Sequence, residues 1–164
     1  MASNICSRRS WIGALCASLG LIGASGTPLV FTSMAGDSVT LALEEGELAV
    51  VAHFWATWCP TCVEELGMLE AAAQNCRDGA VRVVIVNVGE EAERIAAYTS
   101  KLGLRLPVLR DPDGAVWRDI SGVGLPVNLI WTREERRVDI GPHDAAAWAD
   151  TFRSLGCGKE APGS

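Results

Sequence analysis

The segment Val50-Val51-Ala52-His53-Phe54-Trp55 runs as an apolar, β-prone strand straight into Ala56-Thr57-Trp58-Cys59-Pro60-Thr61-Cys62, a pair of cysteines two residues apart. Beyond Cys62 the apolar positions change from strand to helical spacing. Val63, Leu66, Leu69 and Ala73 recur at intervals of three and four, with Glu64, Glu65 and Glu70 between them. A strand that delivers a dithiol to the start of a helix dictates the chemistry of both sulfurs. The unpaired N–H groups and positive dipole end of a first helical turn stabilise an anion, and a thiolate is such an anion. Cys59 is therefore the expected nucleophile, since a thiolate and not a thiol attacks disulfides. Cys62, one turn further in, is placed to displace a partner from a mixed disulfide at Cys59. Pro60 suits the first turn because it has no N–H to leave unpaired.

A C-x-x-C pair is also half of many structural zinc sites. The second half is missing here. Cys76, Cys157, His53 and His143 are the further candidates, and no two of them form a second close-spaced pair.

The remaining periodicity describes one α/β domain. Ser38 to Leu43 reads as an early strand and Leu48 to Trp55 as the central one. Val81 to Val88 is a second long apolar run, and two such runs joined by a helix indicate parallel strands buried on both faces. Glu90 to Leu102 is helical by its Ile95, Ala96, Tyr98, Thr99 and Leu102 spacing and is ended by Gly103. Asp111-Pro112-Asp113-Gly114 is a turn. Leu129–Trp131 and Arg137–Ile140 form an antiparallel hairpin, and Asp144 to Leu155 is the last helix. His53 is expected to be a half-buried strand residue.

A chain of 164 residues, 49% hydrophobic, is of the size of a single domain. Residues 1–26 read as an export signal. Ser7-Arg8-Arg9-Ser10-Trp11-Ile12 precedes an uncharged apolar stretch closed by Ala24-Ser25-Gly26. The paired arginines resemble a twin-arginine signal. The apolar run is shorter than the roughly 20 residues that span a bilayer, which favours cleavage near Gly26 over a permanent membrane anchor. Residues 27–158 are then the folded domain and 159–164 a disordered tail. Without Arg8 and Arg9, twelve basic residues face 20 acidic ones, a balance of −8 that argues against nucleic acid or anionic lipid as a partner. Four cysteines remain, Cys59, Cys62, Cys76 and Cys157, an even number compatible with disulfides in an exported chain.

Phe54-Trp55-Ala56-Thr57-Trp58-Cys59 followed by Cys62 resembles the active-site segment of thioredoxin-like proteins of the TlpA/ResA/DsbE type, and Cys-Pro-Thr-Cys looks like the DsbE members. Glu65 matches a glutamate that this family keeps near the dithiol. Gly124-Leu125-Pro126 matches a Gly-x-Pro whose proline is cis and faces the two cysteines. The match runs from about Phe31 to about Leu155 and includes Leu104 to Gly114, similar to the family's strand and turn ahead of that proline. The chain departs from the pattern at His53, where the family often has Asn, and at Val127-Asn128, where Thr-Thr is commoner. The resemblance implies a thioredoxin-like fold, a central mixed sheet of about five strands flanked by helices on both faces. It implies a protein-disulfide reductant outside the cytoplasm, working without a cofactor as a monomer. Its partners would be protein thiols and disulfides, such as apocytochrome c or a copper-site protein, and a membrane electron donor.

On this pattern Glu65 accepts and returns the proton of Cys62, although an acid early in a helix is also simply stabilising. Glu64 is expected to face solvent. Pro126 shapes the partner site, leaving the Leu125 carbonyl and N–H to pair with a substrate chain, while Trp58, Pro60 and Thr61 complete the contact surface. Trp55, Trp117, Trp131 and Trp148 are expected in the core or at its rim. In such a fold the dithiol helix and the last helix end near one another, which suggests a Cys76–Cys157 disulfide closing a loop of about 80 residues and worth roughly 2–4 kcal/mol, with two separate thiols as the alternative. His143 supports a rival reading as a copper-binding protein similar to the Sco metallochaperones. Those have three residues between their cysteines, against two here. The Pro-x-x-x-Thr-x-x-Cys segment of peroxidases with this fold is absent.

Overall fold

The computed structural model describes residues 26–76 and 80–158; the expected export signal, apart from Gly26, and the expected tail lie outside the described residues. The elements run β1 (Leu29–Thr32), β2 (Ser38–Leu41), β3 (Ala49–Trp55), α1 (Pro60–Ala73), β4 (Val81–Val88), α2 (Ala92–Leu102), β5 (Val108–Asp111), α3 (Ala115–Ile120), β6 (Val127–Thr132), β7 (Arg136–Ile140) and α4 (Ala145–Ser154). They build one mixed sheet in the order β2-β1-β5-β4-β3-β6-β7. β3, β4 and β5 are parallel, β6 runs antiparallel to β3, and the hairpin strand β7 closes that edge.

β3 is the middle of the molecule, and every one of its residues is buried. Side chains alternate along a strand, so Ala49, Val51 and Trp55 enter one apolar layer with Leu66, Leu69, Ile95, Trp148 and Phe152 from α1, α2 and α4. Val50, Ala52 and Phe54 enter the opposite layer with Phe31, Leu129 and Trp131, capped by Val116, Trp117 and Ile120 of α3. Helices therefore cover both faces, as the resemblance implied.

The sheet has seven strands where about five were expected. The extra edge comes from β1, four residues whose Phe31 alone is fully buried and which pairs with β5 through a single registered position, Thr32 with Arg110. So short a strand leaves no alternation long enough to read. α3 was likewise not anticipated, because its six residues give less than two helical turns. His53, expected to be half-buried, is fully buried on the α1 side of β3. Glu90 does not open α2. Its side chain turns back under the loop before the dithiol, and the helix begins at Ala92 and ends at Gly103 in the left-handed conformation.

Candidate active site

Strand β3 ends at Trp55 and the chain turns through Ala56–Trp58 into α1, putting Cys59 at the N-cap and Pro60 in the first helical position. Cys59 and Cys62 are joined as a disulfide with their Cα atoms 5.3 Å apart. Cys59 Sγ accepts the Cys62 N–H at 3.3 Å, one of the donors that a helix start leaves unpaired. The Thr61 hydroxyl donates to the same sulfur at 3.5 Å. Both donors point at the atom that carries charge when the bond is reduced. Cys59 is 5% exposed and Cys62 is not exposed at all, so an incoming sulfur can meet only Cys59. Trp58, 67% exposed, stands beside it, and Pro60 and Thr61 are also on the surface.

The opposite wall comes from the start of β6. Val127 pairs with Phe54, so Pro126 lies at the level of Trp55, at the end of β3 that leads to the dithiol. The Leu125–Pro126 peptide is cis, and Leu125 packs against the layer containing both cysteines. The Pro126 carbonyl accepts from Gly141, which ties this loop to the loop carrying Pro142 and His143.

Glu65 stands one turn beyond Cys62, on the buried face of α1 with Leu66 and Leu69, whereas Glu64 is exposed. Residues three apart on a helix are neighbours, about 5–6 Å between Cβ atoms. Burial pushes the Glu65 carboxyl above the usual carboxylate range, opposed by the Asn128 amide, the His143 backbone and ring, and the Trp148 indole. Asn128 Nδ2 donates to Glu65 Oε1 at 2.9 Å. Directly across the β3–β6 ladder from Asn128 is His53, whose Nδ1 donates to Asn128 Oδ1 at 2.7 Å. Burial lowers the His53 pKa from 6.5 to about 4, against the pull of Asn128 and the Cys62 backbone and with a small push from His143. The 3.7 Å approach of His53 to Glu65 is therefore not an ion pair. Both groups are driven toward their neutral forms, and Asn128 links them.

A second polar group braces the loop ahead of Cys59. Glu90 accepts the Thr57 N–H at 2.7 Å, the Thr57 hydroxyl at 2.6 Å and the Asn87 amide at 2.8 Å, with Arg94 3.3 Å away. Burial pushes the Glu90 carboxyl up, but Asn87, Thr57 and Arg94 outweigh it and hold it below its ordinary value. Sequence reasoning missed Glu90 and Asn87 as parts of the site. A polar Asn inside the apolar run of β4, three residues before an acid, was the available signal.

Cys76, just past α1, is joined to Cys157, just past α4, with a Cα separation of 4.5 Å. Among the described residues, no cluster of three His, Cys, Asp or Glu is arranged to hold a metal. His143 instead sits against Asn128, Asp139 and the Trp148 ring.

A family model described as the AhpC/TSA family matches residues 26–133. The chain belongs to the AhpC/TSA family. Within that family its relatives are of the ResA and DsbE kind, in keeping with the TlpA/ResA/DsbE resemblance. It is 28% identical to a thiol-disulfide oxidoreductase ResA of Halalkalibacterium halodurans over 94 residues, 57% of this chain and 53% of that one. It is 31% identical to a thiol:disulfide interchange protein DsbE of Allochromatium vinosum over 113 residues, 67% of this chain and 60% of that one. It thus spans less than two thirds of the length of these relatives. A solved secreted disulfide oxidoreductase of Mycobacterium tuberculosis, homologous to E. coli DsbE, superposes with a TM-score of 0.64 at 22% identity, covering 78% of this chain and 94% of that one. That likeness shows the thioredoxin-like fold.

Proposed function

We propose that this AhpC/TSA-family chain is a thiol–disulfide oxidoreductase that reduces protein disulfides outside the cytoplasm. The observation that carries the reading is the Cys59–Cys62 disulfide at the N-terminus of α1, with the outer sulfur accepting a helical N–H and the inner one sealed. In the reduced protein, Cys59 thiolate attacks one sulfur of a partner disulfide and expels the other as a thiolate. Cys62, deprotonated by Glu65, then attacks Cys59 Sγ, forming the Cys59–Cys62 bond and releasing the partner's second thiolate. The partner is reduced by two electrons and the protein oxidised by two. A membrane electron donor restores the dithiol.

Trp58, Pro60, Thr61 and Leu125 form the surface that receives the partner chain, Pro126 is buried behind them and shapes that wall, and Leu125 offers its backbone to an extended segment. The relatives' names, a thiol-disulfide oxidoreductase and a thiol:disulfide interchange protein, support protein thiols and disulfides as the partner class, and apocytochrome c or a copper-site protein is the partner that the DsbE-like Cys-Pro-Thr-Cys segment implies. The arginine pair and apolar run of residues 1–26 support export, in line with the secreted structural neighbour. No helix among the described residues is long and apolar enough to cross a membrane. The Cys76–Cys157 bond is assigned a structural role.

The test is reduction of insulin by the dithiothreitol-reduced protein, with Cys59→Ser and Cys62→Ser alongside. Cys59→Ser should abolish activity, and Cys62→Ser should accumulate a mixed disulfide trapped at Cys59. Activity that survives in Cys59→Ser would refute the reading.

A further inference from the structure

Behind Cys62 the apolar layer between α1 and the sheet is interrupted by a set of polar side chains whose hydrogen bonds run in one consistent direction. His53 Nδ1 donates to Asn128 Oδ1, an oxygen that can only accept. Asn128 therefore turns both Nδ2 protons the other way, one to Glu65 Oε1 at 2.9 Å and one toward His143 Nδ1 at 3.1 Å. His143 Nδ1 is then an acceptor, and its proton sits on Nε2, which faces Asp139 Oδ2 at 3.4 Å. The His143 side chain is 15% exposed and lines a surface groove between α1 and α4 with Thr61, Glu64 and Asp144. A buried carboxyl and open solvent are thus joined through one imidazole.

Glu65 needs such a path because it is sealed, and a proton taken from Cys62 has to leave. Cys62 is buried one turn before it on α1, and the groups that face it from other elements are His53 from β3, Asn128 from β6, His143 from the β7–α4 connection with Asp139 of β7 behind it, and Trp148 from α4. Neither an indole nor an amide serves as an acid or a base near neutral pH, and His53 is enclosed on all sides. His143 Nδ1 is 3.9 Å from Glu65 Oε1, so an approach of about 1 Å brings the pair to hydrogen-bond length.

We propose that His143 is the proton-exchange partner of Glu65 and that Asn128, locked by His53, is the positioning residue that holds the two together. The proposal deepens the thiol–disulfide reading and rests on it. When Cys62–SH attacks a mixed disulfide at Cys59, its proton passes to the Glu65 carboxylate as the Cys59–Cys62 bond forms and the partner leaves as a thiolate. Glu65 then gives that proton to His143 Nδ1, and Nε2 releases one into the groove. In the reverse direction a donor thiolate attacks Cys59, Cys62 leaves as a thiolate, takes the proton from Glu65, and His143 resupplies it from solvent.

The test measures the rate at which dithiothreitol reduces Cys59–Cys62, followed by tryptophan fluorescence, in wild type, His143→Gln, Glu64→Gln and Glu65→Gln, each with and without added imidazole. His143→Gln should slow the reaction about ten-fold or more, within the range of general acid–base catalysis, and imidazole entering the groove should restore it. Its midpoint potential in a dithiothreitol series should stay that of wild type, because a proton route does not alter the end states. Glu64→Gln, on the same groove, should react as wild type. A wild-type rate in His143→Gln with a slowed Glu65→Gln overturns the His143 assignment alone, as does a slow His143→Gln that imidazole fails to rescue or an equal slowing by Glu64→Gln. A wild-type rate in Glu65→Gln overturns the proton role of Glu65 itself.

Discussion

Acidification should destabilise this protein through His53, and the size of the effect follows from where the ring sits. His53 is fully buried, donates to Asn128 through Nδ1, and has no hydrogen-bond partner for Nε2 among the described residues. A proton added to Nε2 would place a charge in the core, so the folded value falls from 6.5 to about 4. The unfolded chain binds this proton below pH 6.5 and the folded chain refuses it until about pH 4. The His53 contribution is thus nil above pH 6.5, grows as the pH drops through that window, and grows no further below it. The full loss is about 3 kcal/mol, of which about 2 kcal/mol is gone by pH 5. Glu65 acts in the opposite sense: its folded value is raised, so acidification through it stabilises. That term is shared by a variant that keeps Glu65. His53→Asn removes the titration while keeping an amide able to donate to Asn128, and whatever the smaller side chain costs is the same at both pH values. Urea unfolding of the oxidised forms at pH 7.5 and pH 5 should show wild type losing about 2 kcal/mol more than His53→Asn. Equal losses would refute the reasoning.

Replacing Cys76 and Cys157 together by Ser should lower stability by about 2–4 kcal/mol, because the bond spans 81 residues and restrains the unfolded chain, as denaturant unfolding would register. Glu90→Gln should cost about 1–3 kcal/mol at pH 7 by weakening the charged acceptor of Thr57 and Asn87. Since the folded Glu90 value is depressed, the cost should be present above about pH 4.5 and vanish as the pH falls through that folded value, in a pH series of urea melts. Trp58→Ala should reduce kcat/KM toward a protein disulfide while leaving the rate with dithiothreitol near wild type, because an exposed ring beside Cys59 serves contact with a chain and not the exchange itself.

The dithiol site was legible because its parts are adjacent in sequence. The change from strand to helical spacing around Cys59 announces strand, turn and helix start within some twenty residues, and α1 then carries Glu65 to the buried face by its own periodicity. The polar set behind it was not legible. His53 and Asn128 are 75 positions apart and become partners only through the antiparallel register of β3 with β6, after α1, β4, α2, β5 and α3 have intervened. Each looked like an isolated departure from the family pattern, yet the two meet in one hydrogen bond. Glu90 was hidden for a related reason. An acid just ahead of a helix reads as part of that helix, and nothing local indicates that its carboxylate crosses to Thr57. β1 and α3 escaped because four and six residues carry too few repeats to define a period.

The most direct test of the thiol-exchange account is a redox titration of Cys59–Cys62 against glutathione and dithiothreitol series, in wild type and in Cys59→Ser. A reversible two-electron couple near the thioredoxin end of the range, about −270 mV, absent from Cys59→Ser, is the expected result for a reductant whose outer sulfur does the exchange. A couple near −120 mV would make the protein an oxidant, and the absence of any reversible couple in wild type would contradict the assignment of the site altogether.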